Sequence, residues 1–473
     1  MSDIGVDRWV AEAADREPTY SGWLGPPRRV LDKVPSGWKL LGFLGVAAIY
    51  PFLVPQAGVR IGITALLLAM LALGLNTVVG WAGLLDLGYV AFYGFGAFFY
   101  AIVSSDHIGV HWPTWVAVPV IVTASALLGA LLSLPSRRLV GDYLAIMTLF
   151  FAQVFLEIIT NYERLPGVET DLTGGPNGIT GVQPWQLFGF SFNTFNRNFY
   201  LLLVLLGLAI VLLRNTDQSR TGRAWRALRE DTLAAAHMTT PVNRLKMLAF
   251  AVGAAIAGLT GTVLGPVQVG VFPNNFQLLF LITIYTAVVL GGLGSIPGMV
   301  LGALVVAFTP EVLRNPAIAG WLFYIGLAVL VVTMLQRNWR HIAAVIGGVV
   351  AFGFVVRLVA LAIWDETILG TANDTFLSRL LDGWVLILGP AQDVVSNYAF
   401  VLAIAGTLAV IATNGWRRAV LLVPTVYLAV FVWENKLAME PSITRQLLFG
   451  GVLVVMMAVR PQGLLGTRRV QIT

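Results

Sequence analysis

Runs of apolar residues, each about the length of a bilayer-crossing helix, alternate with short polar connections from residue 38 almost to the end of the chain. A hydrocarbon core about 30 Å thick takes roughly 17 to 25 residues of helix. Windows of that order fall at 38–55, 61–82, 84–104, 114–134, 142–160, 199–213, 247–270, 277–294, 297–309, 318–335, 342–363, 392–412, 418–433 and 444–460. Ten-residue segments of alternating polarity, the mark of a membrane barrel, are missing, and backbone polar groups in lipid must be satisfied inside a helix or a closed barrel. The expected fold is all-α, a polytopic transmembrane helical bundle of 14 spans. Two longer polar connections interrupt it, at 161–198 and 214–246, and 377–390 reads as an interfacial helix.

Composition agrees: 57% of the 473 residues are hydrophobic and 11% charged, with a mean hydropathy of +0.81, far from the roughly 25% charge of a soluble domain. The net charge of +6 is spread over short loops without aromatic interleaving, so nucleic acid is not an expected partner. The basic residues orient the bundle instead. If the polar segment 1–37 is cytoplasmic, 22 of the 30 Lys and Arg fall on inner segments and seven on outer ones, with Arg357 inside a span. The positive-inside rule then puts both termini in the cytoplasm. Segment 1–37 has no apolar run ending in a small-residue cleavage site, so no cleaved signal is expected. Without cysteine, neither disulfides nor a thiolate metal site are available.

The inner connection holds the most polar stretch of the chain, GRAWRALREDTLAAAHM, Gly222 to Met238. Arg223, Arg226 and Arg229 recur every third residue with Trp225 and Leu228 between them, and Glu230 and Asp231 follow before Pro241 ends the helical pattern. That is an amphipathic helix. A basic loop that merely fixes topology and touches lipid headgroups is the simpler reading. The wording of the segment resembles the coupling loop of permease subunits in ABC importers of the branched-chain amino acid family.

Five more motifs stand in that family's order: GLNTVVGWAGLLDLGYVAFYGFGAFFYAI at 74–102, GDYLAIMTLFFAQVF at 141–155, LTGGPNGITG at 172–181, VVLGGLGSIPGMVLGA at 288–303 and RPQGLLG at 460–466. Together they are similar to the M-type member of the two-permease pair. The resemblance implies that Gly222, Arg223, Ala224, Leu228, Arg229, Glu230, Asp231, Ala234 and Ala235 couple the chain to an ATPase, the arginines pairing with its carboxylates. It also implies a second permease, two ATPase subunits that use ATP, and an extracytoplasmic substrate-binding protein, in the plasma (inner) membrane. No cofactor is expected on this chain.

The chain departs from the family pattern twice. Met238-Thr239-Thr240-Pro241 stands where a glycine is common, and about a hundred residues, 336–443, intervene before RPQGLLG. The expected organisation is a cytoplasmic segment 1–37, a permease core 38–335, an inserted transmembrane region 336–443, and a final span with its tail at 444–473.

Gly80, Gly83 and Gly88 sit among glycines that close helix packing explains. The alternative is a helix break near the substrate path, flanked by Asn76 and Asp86, with Asp86 costly at membrane depth unless it faces water, a partner or substrate. In the outer motif, Thr173, Gly174, Gly175, Asn177 and Gly178 form either a structured turn or a docking element for the binding protein. Asp142 is expected to cap the next span.

None of the four lysines follows a glycine, so the nucleotide-binding G-K-[ST] is absent and ATP hydrolysis falls to other subunits. An ion-coupled secondary transporter would need paired ionisable groups at mid-membrane, and a membrane enzyme would need an outer His/Asp/Glu cluster. The expected function is a permease for branched-chain or other apolar amino acids, and relatives of the family also carry urea, amides or aromatic acids.

Overall fold

The computed structural model describes residues 36–136, 141–161, 172–187, 189–238, 240–312, 314, 316–334, 339–363, 384–388, 393–413, 415–437 and 463–465. Each expected span from 38–55 to 418–433 is occupied by a helix, while 444–460 lies outside the described residues. Among the described residues, nine helices are long and apolar enough to cross a bilayer, and shorter apolar helices run over 40–53, 89–104, 296–312 and 318–332. The chain divides into two compact units, residues 1–277 and 278–473.

The first unit holds α1 (Ser36–Leu53), α2 (Gln56–Leu75), α3 (Tyr89–Ser104), α4 (Thr114–Ser136), α5 (Asp142–Asn161), α6 (Phe195–Gln218), α7 (Arg220–Glu230), α8 (Thr232–His237) and α9 (Val242–Gln268). Helix α9 is its pillar. Small residues let it approach α3 and α4 at backbone distance, since a Cβ built on Gly96 would lie 2.2 Å from the Gly258 carbonyl oxygen. Helix α2 is buried continuously from Ala65 to Leu75. Helix α5 instead exposes Tyr143, Ile146, Phe150, Val154 and Ile158, a stripe at helical spacing that suits lipid. Four two-residue strands pair in two ladders, β1 (Ile179–Thr180) with β4 (Gly270–Val271) and β2 (Gln186–Leu187) with β3 (Phe190–Ser191), beside 3-10 turns at 175–177 and 273–276.

The second unit opens with the hairpin of α10 (Leu278–Gly291) and α11 (Ile296–Val312), followed by α12 (Pro316–Met334). Gly291 and Gly302 bring the two hairpin helices into backbone contact. The last described residues return to this hairpin, where the amides of Leu464 and Leu465 donate to the carbonyls of Leu290 and Gly291 at 2.9 and 3.0 Å. Leu464 and Leu465 thus cap α10, satisfying carbonyls that a helix end leaves open. Helices α13 (Trp339–Ile363), α14 (Asp393–Ala412) and α15 (Trp416–Val432) form an apolar bundle around Val345, Val349, Val410, Leu422 and Val426. A π-helical turn, 433–437, fastens them to α12: Trp433 stacks on Phe323 at 4.3 Å, and Tyr324 donates its hydroxyl to Glu434 at 2.5 Å. Arg357 points inward, donating to the Val385 carbonyl at 3.4 Å.

Three expectations change. The span expected at 84–104 begins only at Tyr89, because α2 ends in a π-helical turn, Asn76–Trp81, and 82–88 is irregular. The amphipathic helix is two helices meeting at Asp231, whose extended backbone ends α7. Asp142 stands in the first turn of α5, following Gly141, and not before it. The stretch 377–390 lies largely outside the described residues, and 384–388 is not helical.

Candidate functional site

The polar helix α7 begins where Ser219 accepts the Gly222 amide in its hydroxyl, an N-cap. Its apolar side is small and decisive. Trp225, 1% exposed, donates its indole N–H to the Leu245 carbonyl at 2.9 Å and stacks on Trp81 with ring centres 6.1 Å apart. Gly222 and Leu228 are buried beside it, as the three- and four-residue helical spacing requires.

The arginines turn toward this chain. Arg223 donates to the Gln218 carbonyl at 2.9 Å and Arg226 to the Asp217 carbonyl at 2.8 Å, with the Asp217 carboxylate 3.4 Å away. Cations there complement the C-terminal end of α6. Arg229 donates to the Gly80 carbonyl, inside the π-helical turn that ends α2. Asp231 caps α8, accepting the amides of Leu233 and Ala234 at 2.8 and 3.0 Å. Ala235 is buried, Ala224 half-buried, and Glu230 and Ala234 exposed. Two large apolar side chains project from this connection: Leu233 is 74% exposed and Met238 79%.

The glycines of the α2–α3 region therefore do more than pack helices. Gly83 has φ +69°, a conformation glycine adopts without steric cost, and a Cβ there would sit 2.9 Å from Arg229 Cγ and 3.1 Å from its Cα. Asn76 is buried at the start of the π-helical turn. Asp86 is fully buried in the connection outside the two helices, and its carboxylate accepts the Gly88 amide at 2.9 Å. Burial raises its pKa above the ordinary carboxylate range, and the Gly88 hydrogen bond works against that rise. Next to it, Leu87 donates its amide to the Thr148 hydroxyl at 2.9 Å, and Gly88 lies against the Thr148 backbone. The coupling candidates and the helix-break candidates thus form one cluster.

The outer motif is elsewhere, at the opposite end of α9, about 40 Å away at 1.5 Å per helical residue. Thr173 donates its hydroxyl to the Ile159 carbonyl at 2.8 Å and accepts the Gly175 amide at 3.3 Å. Gly174 and Gly178 both adopt positive φ, and a Cβ on Gly178 would fall 2.2 Å from the Val271 carbonyl oxygen. The motif is a structured turn clamped between α5 and the strand after α9. The Asn177 amide donates to the Gly174 carbonyl at 3.1 Å, and the residue remains exposed. Trp225, Trp81 and Thr148 were not among the candidates from sequence. The one local signal was the Trp225–Leu228 spacing between the arginines, and nothing local pointed to Thr148.

Residues 59–335 match the protein family described as the branched-chain amino acid transport system permease component. The chain is 35% identical over 314 residues to the high-affinity branched-chain amino acid transport system permease protein LivM of Salmonella typhimurium, and 34% identical to that of Escherichia coli. Each match covers 62% of this chain and 72% of the relative. To the permease protein LivH of Salmonella typhimurium it is 29% identical over 257 residues, 52% of this chain and 81% of the relative. No solved structure matches significantly. With its apolar helices and its match over more than half its length, the chain belongs to the branched-chain amino acid permease family and is a transmembrane permease of an ABC importer, closer to LivM than to LivH.

Proposed function

We propose that this permease carries branched-chain or other apolar amino acids inward in a complex with a LivH-like second permease, two ATPase subunits and an extracytoplasmic binding protein, with both termini in the cytoplasm. The substrate reading rests on the names of the relatives, and the orientation on the 22 to 7 distribution of basic residues. One observation carries the ATPase reading: α7 stands packed on the α2–α3 break, α8 follows it, and Leu233 and Met238 remain exposed. We read these two apolar side chains, exposed on an otherwise polar connection, as anchors for a partner.

The docking contact is therefore mainly apolar, with Glu230 at its edge. Arg223, Arg226 and Arg229 each also hold a carbonyl of this chain. Replacing Leu233 and Met238 together by Asp is expected to weaken ATPase co-purification by about ten- to a hundredfold, as loss of anchors worth about 1.5–3 kcal/mol implies. Uptake of radiolabelled leucine into proteoliposomes should fall in proportion. Unchanged co-purification would overturn this docking surface. The wild-type complex should accumulate leucine with ATP and no ion gradient, and gradient-driven uptake without ATP would overturn the importer assignment for this complex. Competition by urea, an amide or an aromatic acid in place of leucine would move the substrate class.

A further inference from the structure

We infer that Arg229 is an internal clasp, a positioning residue that transmits movement of α7 to the α2–α3 break and on to α5, and not a contact for the ATPase. The inference rests on the reading of α7 and α8 as the ATPase-facing element. Three contacts converge on one side of α7. The Arg229 guanidinium donates to the Gly80 carbonyl, Gly83 at φ +69° lies so close to the Arg229 backbone that a Cβ would sit 3.1 Å from its Cα, and Trp225 stacks on Trp81.

The Gly80 carbonyl needs such a donor. The π-helical turn ends at Trp81, and the amides that follow, of Ala82 and Leu84, go to the carbonyls of Thr77 and Val78. A carbonyl at the end of a helix is a ready acceptor, and an arginine near it forms a charge-assisted bond. Beyond Gly83 the chain itself leads to Asp86, which fixes the Gly88 amide, while Leu87 bonds the Thr148 hydroxyl and Gly88 lies on the Thr148 backbone. Helix α5 then runs unbroken from Thr148 to Ile159, whose carbonyl accepts Thr173 of the outer motif. About 16 Å of uninterrupted helix separates those two bonds. Contiguity of this kind becomes coupling only when a perturbation is shown to travel along it.

The test compares Arg229→Ala, Arg229→Lys and Gly83→Ala in the full complex. For Arg229→Ala, ATPase co-purification should stay near wild type, while leucine uptake per ATP hydrolysed falls roughly tenfold or more, as loss of one charge-assisted hydrogen bond implies. Arg229→Lys, which still donates to a carbonyl, should recover part of that ratio. Gly83→Ala, which pushes the backbones apart from the other side, should reproduce the loss. Hydrogen exchange of the purified chain in detergent should rise over 76–88 in Arg229→Ala. Co-purification falling in step with uptake would make Arg229 a docking residue and overturn the clasp while leaving the importer reading intact. Normal uptake per ATP, or unchanged exchange over 76–88, would also overturn it. A wild-type complex that shows no ATP-driven uptake sinks the importer reading instead, and the exchange measurement still decides the clasp.

Discussion

Trp225 does at the scale of a residue what hydrophobicity alone would not specify. Its ring is buried against Trp81, and its one polar atom meets the Leu245 carbonyl, the pairing that a buried indole usually finds. Trp225→Ala removes packing and leaves that carbonyl without its donor, at a cost of about 3–5 kcal/mol. The loss should appear as faster proteolytic cleavage between α6 and α9, and cleavage at the wild-type rate would show that α7 is held by other contacts. Trp225→Phe keeps an aromatic face, loses the hydrogen bond, and should fall between the two. The contrast with Arg223 is instructive. A long cation beside the last carbonyls of α6 is attracted by that helix end, so a basic residue in a loop need not face a partner.

At the scale of elements, the junction between α7 and α8 depends on Asp231. Its carboxylate holds the first amides of a helix of only six residues, too short to persist on propensity alone. Asp231→Ala should cost about 1 kcal/mol of local stability. The measurable result is increased hydrogen exchange over 232–238 with α7 unaffected, and equal protection would mean that packing of Ala235 suffices. A comparable fastening joins the later helices to α12 through Trp433 and Glu434. The hydroxyl of Tyr324 bonds a carboxylate there, which gives the bundle of α13 to α15 a specific seat and not only an apolar one.

For the whole molecule, orientation is the testable quantity. The chain contains no cysteine, so single cysteines report cleanly. Ala227 and Asn177 are both exposed, on α7 and on the outer motif respectively. An impermeant maleimide applied to intact cells should label Asn177→Cys and not Ala227→Cys. Labelling of the second would reverse the bundle and remove α7 and α8 from any cytoplasmic ATPase.

Helix type and the approximate limits of the described spans were legible in the sequence, because in lipid a helix must satisfy its own backbone and therefore shows as one continuous apolar window. The family was legible as well, since its motifs are local strings. The break at 76–88 was legible only as an alternative: glycines in an apolar run fit close packing and unwinding equally well. The structure leaves 82–88 irregular after the π-helical turn and sets Arg229 on Gly80 with its backbone against Gly83. It also set Arg223 and Arg226 on the last carbonyls of α6 while both stay exposed, left Leu233 and Met238 exposed as well, and joined Thr148 to Leu87 across 61 residues of sequence. A sequence states which groups need hydrogen bonds or burial. Which distant carbonyl, ring or hydroxyl meets each need depends on the positions of helices that only the packed chain fixes.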